Sequence, residues 1–196
     1  MFTKTQVEIM KVFSSKINEK FSIKQVSEIL KKPYPLIHRS TALLIKDNFI
    51  LKDSKELLSL NYKENLMEIA YIESLRAKQK LKNKSFSLFV HDVLTNMSSD
   101  FFIFLVFGSF VESDSSRDID ILLIAEDKEK ISNIEKIIDN TADNFSLKIH
   151  ANVVSLESAY EMLSKRDNLN IMNETLNKHI LIFGAENYYR LLKNAR

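Results

Sequence analysis

Apolar residues recur every three to four positions over residues 3–17, where Val7, Met10, Val12, Phe13 and Ile17 share one side of a predicted helix. Ser22 precedes "IKQVSEIL", a helix-start signal followed by Ile23, Val26, Ile29 and Leu30 on one face. Pro33 and Pro35, the only prolines, break this segment. A proline is tolerated in a helix's first turn, where its missing N–H has no partner anyway. A third helix is therefore predicted over "PLIHRSTALLIKDN", with Leu36, Ile37, Leu43, Leu44 and Ile45 toward the core. "FILKDSKELLSLN" reads as two short strands about an Asp53-Ser54 turn. Residues 63–82 form a weaker helical stripe of Leu66, Ile69, Ala70 and Leu75, with lysines in the last turn that complement the helix dipole.

Beyond residue 84 helix and strand alternate. Residues 85–97 read as helix, and "FFIFLVFG" is a continuous apolar run of buried-strand character. "IDILLIA", "FSLKIHANVVS" and "HILIFG" are further strands. Helices are predicted over 127–140, 156–164 and 168–176, and a last one follows Gly184. This order is that of an α/β or α+β domain.

Composition narrows the function classes. The 196-residue chain has no cysteine, which excludes disulfides, cysteine-based zinc sites and thiol catalysis. No apolar run approaches the ~18 residues of a membrane span, and no signal peptide is evident, so a cytoplasmic protein without a membrane partner is expected. Charge is uneven: residues 1–55 hold 11 Lys/Arg and 5 Asp/Glu, residues 100–196 hold 11 and 16. A basic front and an acidic back suggest two parts with different partners.

Three helices and a hairpin resemble the winged helix-turn-helix of archaeal and bacterial regulators, through "PYPLIHRSTALLIKDNFI", over residues 1–62. The resemblance implies a recognition helix presenting Tyr34, His38, Arg39 and Lys46 to double-stranded DNA, with Lys52 and Lys55 on the wing against phosphates. A protein-binding or dimerisation role is the alternative for this module.

The chemistry concentrates in "FGSFVESDSSRDIDILLI", residues 107–124. Gly108, one of two glycines, ends a strand and lets backbone approach a ligand closely. Ser109 adds a hydroxyl and an N–H at a helix start. Asp118 and Asp120 sit two apart on a strand and face the same way. Two carboxylates that close repel unless a cation such as Mg²⁺ lies between them. An apolar strand, Gly-Ser, a loop and Asp-x-Asp on the next strand resemble the polymerase β-like minimal nucleotidyltransferases, over residues 84–196.

The resemblance implies a phosphate turn at Gly108 and Ser109, a metal pair at Asp118 and Asp120, and nucleotidyl transfer from a nucleoside triphosphate with Mg²⁺ or Mn²⁺. Arg117 is the nearby cation for the nucleotide. The family's third carboxylate belongs on "SLKIHANVVS", which has none; Asn152 takes that place, with His150 two residues earlier on the same face. An amide cannot accept a proton as a carboxylate does.

The expected architecture is α+β: a winged helix-turn-helix (1–62), a linker helix (63–83) and a nucleotidyltransferase-like domain (84–196) with a mixed sheet flanked by helices. The leading expectation is a Mg²⁺-dependent enzyme moving an NMP group such as AMP onto a protein or nucleic-acid acceptor. The alternatives are a catalytically weakened nucleotide-binding transcriptional regulator and an antitoxin-like partner of a small helical toxin. A homodimer is compatible with either.

Overall fold

Thr3 and Ser22 open the first two helices through capping boxes. Each side-chain hydroxyl accepts the backbone N–H three residues on, and Gln6 and Gln25 reach back to the cap's own N–H. The structure is a computed structural model and describes residues 2–97, 101–113, 118–165 and 168–196. Helices α1 (Lys4–Ser15), α2 (Ile23–Leu30) and α3 (Tyr34–Lys46) are followed by a hairpin, β1 (Ile50–Lys52) and β2 (Leu58–Leu60). Asp53 organises the hairpin turn: its Oδ1 accepts the N–H groups of Lys55 and Leu57, and Oδ2 meets Lys20 Nζ at 2.8 Å.

The seating of α3 departs from expectation. Ile37, Ser40, Thr41 and Leu44 face inward, while Leu36 and Leu43 are 38 % and 51 % exposed. Positions 37, 40, 41 and 44 follow the helical period, and Leu36 and Leu43 fall off it. Two small hydroxyl residues therefore pack where two leucines were expected.

Next come α4 (Leu66–Lys80), α5 (Lys84–Asn96), β3 (Phe102–Phe107), α6 (Ser109–Glu112), β4 (Asp118–Ala125), α7 (Ile131–Ala142) and β5 (Lys148–Ser155). The chain ends with α8 (Leu156–Ser164), α9 (Ile171–Thr175), β6 (His179–Phe183) and α10 (Ala185–Ala195). The sheet order is β5-β4-β3-β6, with β3 antiparallel to both β4 and β6, and β4 parallel to β5. The expected mixed sheet flanked by helices is present, and no helix among the described residues is long and apolar enough to cross a membrane.

Side-chain alternation divides the sheet. Phe104, Val106, Ile119, Ile121 and Leu123 pack with Phe86, Phe89 and Val93 of α5 and with Ile134 and Ile138 of α7. Ile103, Leu105, Leu122 and Ile124 face the other way, into a cluster shared with Tyr188, Tyr189, Ile69, Ile72, Ile9 and Phe13. One apolar core thus runs from α1 through α4 to the sheet.

Helix α4 is the element that joins them. It touches α1, β6 and α10. Its buried positions are Ile69, Ile72, Glu73, Arg76, Ala77 and Lys80, a regular helical stripe whose polar members hid it from the apolar pattern.

Candidate functional site

Strand β3 ends at Phe107, and the chain turns at Gly108 with φ +73° and ψ −153°. Only glycine occupies that region without strain. A Cβ there would lie 2.4 Å from Asp120 Oδ2. Both requirements select glycine, and its missing side chain lets the turn sit directly against the carboxylate. Ser109 then starts α6, and Phe110 anchors the short helix by burying its ring at 5.0 Å from Phe86.

Cross-strand partners share a face. The register pairs Phe107 with Asp120, Asp120 with His150, and Phe107 with His179. His150, Asp120, Phe107 and His179 therefore form one row across the sheet. Asp118 lies two residues out on the same face, level with Lys148, whose Nζ is 3.3 Å from Asp118 Oδ1. Asp118 is exposed and Asp120 half-buried, so the pair opens to solvent at the sheet's end.

The structure thus brings Gly108, Ser109, Asp118 and Asp120 to one corner. Arg117 lies outside the described residues. Asn152 is on the aspartate face but level with Leu122, two pairs farther along; His150 stands level with Asp120. Strand register decides this, and nothing local in "KIHANVV" announces it. Lys148 was likewise missed, because its proximity to Asp118 exists only in the parallel pairing. Among the described residues no group of three or more His, Cys, Asp and Glu is arranged to hold a metal. Two carboxylates still suit Mg²⁺, which is commonly held by one or two carboxylates plus substrate phosphates.

A second polar cluster went unread in the sequence and is buried. Arg76 Nη1 donates to both carboxylate oxygens of Glu73, at 2.9 and 2.7 Å, and Nη2 donates to the His179 carbonyl. Tyr189 donates its hydroxyl to Glu73 Oε1 at 2.8 Å. His179 donates from Nδ1 to the Thr175 carbonyl at 2.7 Å, and its Nε2 lies 3.8 Å from Glu73. Burial alone would raise the Glu73 pKa, but the Arg76 charge and the His179 and Tyr189 contacts outweigh it and hold it at about 2. Burial, and then the Glu73 charge, push the Tyr189 phenol well above its ordinary value. This cluster pins α4 to β6 and α10, and β6 pairs with the strand that ends at Gly108.

The residues expected to meet DNA are all exposed: Tyr34, His38, Arg39 and Lys46 on α3, Lys52 and Lys55 near the hairpin turn. Arg39, Ala42 and Lys46 lie opposite the buried stripe of α3, with His38 on one flank and Leu36 and Leu43 on the other. Lys52 is bound to Glu56 at 2.5 Å, which lessens the hairpin's positive charge.

Comparison with family models, with curated proteins and with solved structures finds no match to this chain.

Proposed function

We propose that the Gly108–Asp120 corner binds a nucleoside triphosphate with a divalent cation and transfers its nucleotidyl group to an acceptor hydroxyl, as polymerase β-like nucleotidyltransferases do. The observation that carries this reading is the Gly108 backbone seated against Asp120, with Asp118 beside it on the same strand face. The turn would meet the phosphates, and Asp118 and Asp120 would hold the metal. Bound there, Mg²⁺ or Mn²⁺ would offset phosphate charge. The acceptor oxygen attacks the α-phosphorus, the bond to the β-phosphate oxygen breaks, and pyrophosphate leaves. His150, the register partner of Asp120, would take the acceptor's proton. The three N-terminal helices and hairpin would form a winged helix that docks duplex DNA through Arg39 and Lys46, tethering the activity there.

A second reading, a nucleotide-binding regulator without transfer, draws support from β5, where Asn152 stands in place of the carboxylate that the resemblance leads one to expect. Both readings meet one experiment. The protein is incubated with each labelled NTP and Mg²⁺ or Mn²⁺, with and without nucleic acid. The expected result is metal-dependent binding and label transfer, both lost in Asp118→Ala/Asp120→Ala. Binding without transfer selects the regulator; no metal-dependent binding in the wild type sinks both.

A further inference from the structure

A cavity of about 440 Å³ opens beside the N-terminal helices, and its described lining shares no residue with the Gly108–Asp120 corner. Its walls come from three separated stretches of chain: Phe2 ahead of α1, Asp47 and Phe49 between α3 and β1, and Met67, Glu68 and Tyr71 on α4. The Phe2 and Phe49 rings meet edge to face with centroids 4.8 Å apart. Met67 and Tyr71 lie one turn apart on α4 and are 74 % and 53 % exposed. Single exposed apolar residues are ordinary; two neighbours beside a hollow lined by aromatic rings mark a contact surface. Asp47 and Glu68 supply the charge, and both are exposed. Neither forms an ion pair among the described residues, and the described lining contains no lysine or arginine.

We propose that this cavity is a binding site for a small organic ammonium ion. Aromatic rings are negative on their faces, so a cation with an alkyl shell gains electrostatic attraction and apolar burial from the same contacts. The Met67 thioether is polarizable and adapts its shape to such a shell. Two carboxylates without counter-ions add a negative potential that draws a cation in. A metal ion would demand oxygen ligands where the rings stand, and a neutral apolar molecule would gain nothing from the two charges. The volume lies within the range of small-ligand pockets and suits a molecule the size of choline or spermidine. The lining includes Asp47 at the end of α3 and Tyr71 on α4, so a bound cation ties the helix proposed to meet DNA to the helix that packs on β6. It is an effector site, and it does not depend on nucleotidyl transfer.

The test is calorimetric titration, without metal and at constant ionic strength, of choline, spermidine and neohexanol, the uncharged isostere of choline. The proteins are the wild type, Asp118→Ala/Asp120→Ala, Tyr71→Ala and Asp47→Asn/Glu68→Gln. Choline or spermidine is expected to bind the wild type and Asp118→Ala/Asp120→Ala equally well. Tyr71→Ala should weaken that binding roughly tenfold, and Asp47→Asn/Glu68→Gln roughly fivefold or more. All three replaced side chains are exposed, and if one variant misfolds the other still decides. Preference for choline supports the site with a quaternary ammonium ligand, and preference for spermidine supports it with a polyamine. Four results overturn the proposal. They are no ammonium binding to the wild type at millimolar concentration, neohexanol binding as tightly as choline and spermidine, either folded cavity variant binding like the wild type, or binding lost in Asp118→Ala/Asp120→Ala.

Discussion

Glu73→Gln removes one negative charge from a fully buried site and keeps the side chain's shape. The amide accepts one bond from Arg76 where the carboxylate accepted two, and the guanidinium is left buried without its counter-charge. Breaking a buried pair from one side costs about 3–5 kcal/mol. Proton linkage gives a second figure. The Glu73 pKa falls from 4.5 to about 2 in the folded protein, a shift equivalent to about 3 kcal/mol. A depressed carboxylate pKa stabilises fully above the unfolded value. That stabilisation is lost as pH falls toward the folded one. At pH 3 roughly 1.4 kcal/mol of it should remain.

Urea unfolding of wild type and Glu73→Gln at pH 7 and pH 3 measures both numbers. The expected gap is about 3 kcal/mol at pH 7 and about half that at pH 3. Glu73→Leu/Arg76→Met removes both charges and should recover part of the loss, because apolar replacement of a complete buried pair is often neutral. A Glu73→Gln protein as stable as wild type at pH 7, or a gap that does not narrow with acid, would refute the reasoning.

Gly108→Ala forces a side chain into a positive-φ turn and against Asp120, so a stability loss of about 1–3 kcal/mol by urea unfolding is expected, together with loss of NTP binding. Leu44→Ala should cost about 2–5 kcal/mol, whereas Leu43→Ala should stay within about 0.5 kcal/mol; equal costs would contradict the seating of α3. If α3 docks on DNA, Arg39→Ala and Lys46→Ala should each reduce the slope of log affinity against log salt by about 1. An unchanged slope in both would remove α3 from the DNA interface.

The corner at Gly108 was legible because its information is local. A strand's period of two puts Asp118 and Asp120 on one face wherever the strand lies. A scarce glycine at a strand end marks a close approach before its partner is known. The partner itself was not legible: that Gly108 meets Asp120 rather than Asp118 follows from the pairing of Phe107 with Asp120. The same limit applies to β5. Periodicity put His150 and Asn152 on one face, but only the parallel register sets His150 level with Asp120 and Asn152 with Leu122.

Helix α4 failed for a different reason. A reading based on apolar spacing finds Leu66, Ile69, Ala70 and Leu75, and misses the inward stripe that Glu73, Arg76 and Lys80 continue. These charged residues can be buried because the fold provides partners from distant positions: Tyr189 on α10, the His179 carbonyl on β6 and the Phe110 ring on α6. None of those partners is within reach in sequence, so the helix reads locally as an exposed connector. In three dimensions it packs both with α1 and with β6, the strand that pairs with β3. The N-terminal helices are therefore joined to the strand ending at Gly108 by packed side chains and one hydrogen-bonded strand pair. A perturbation of the Glu73–Arg76 pair acts on both at once.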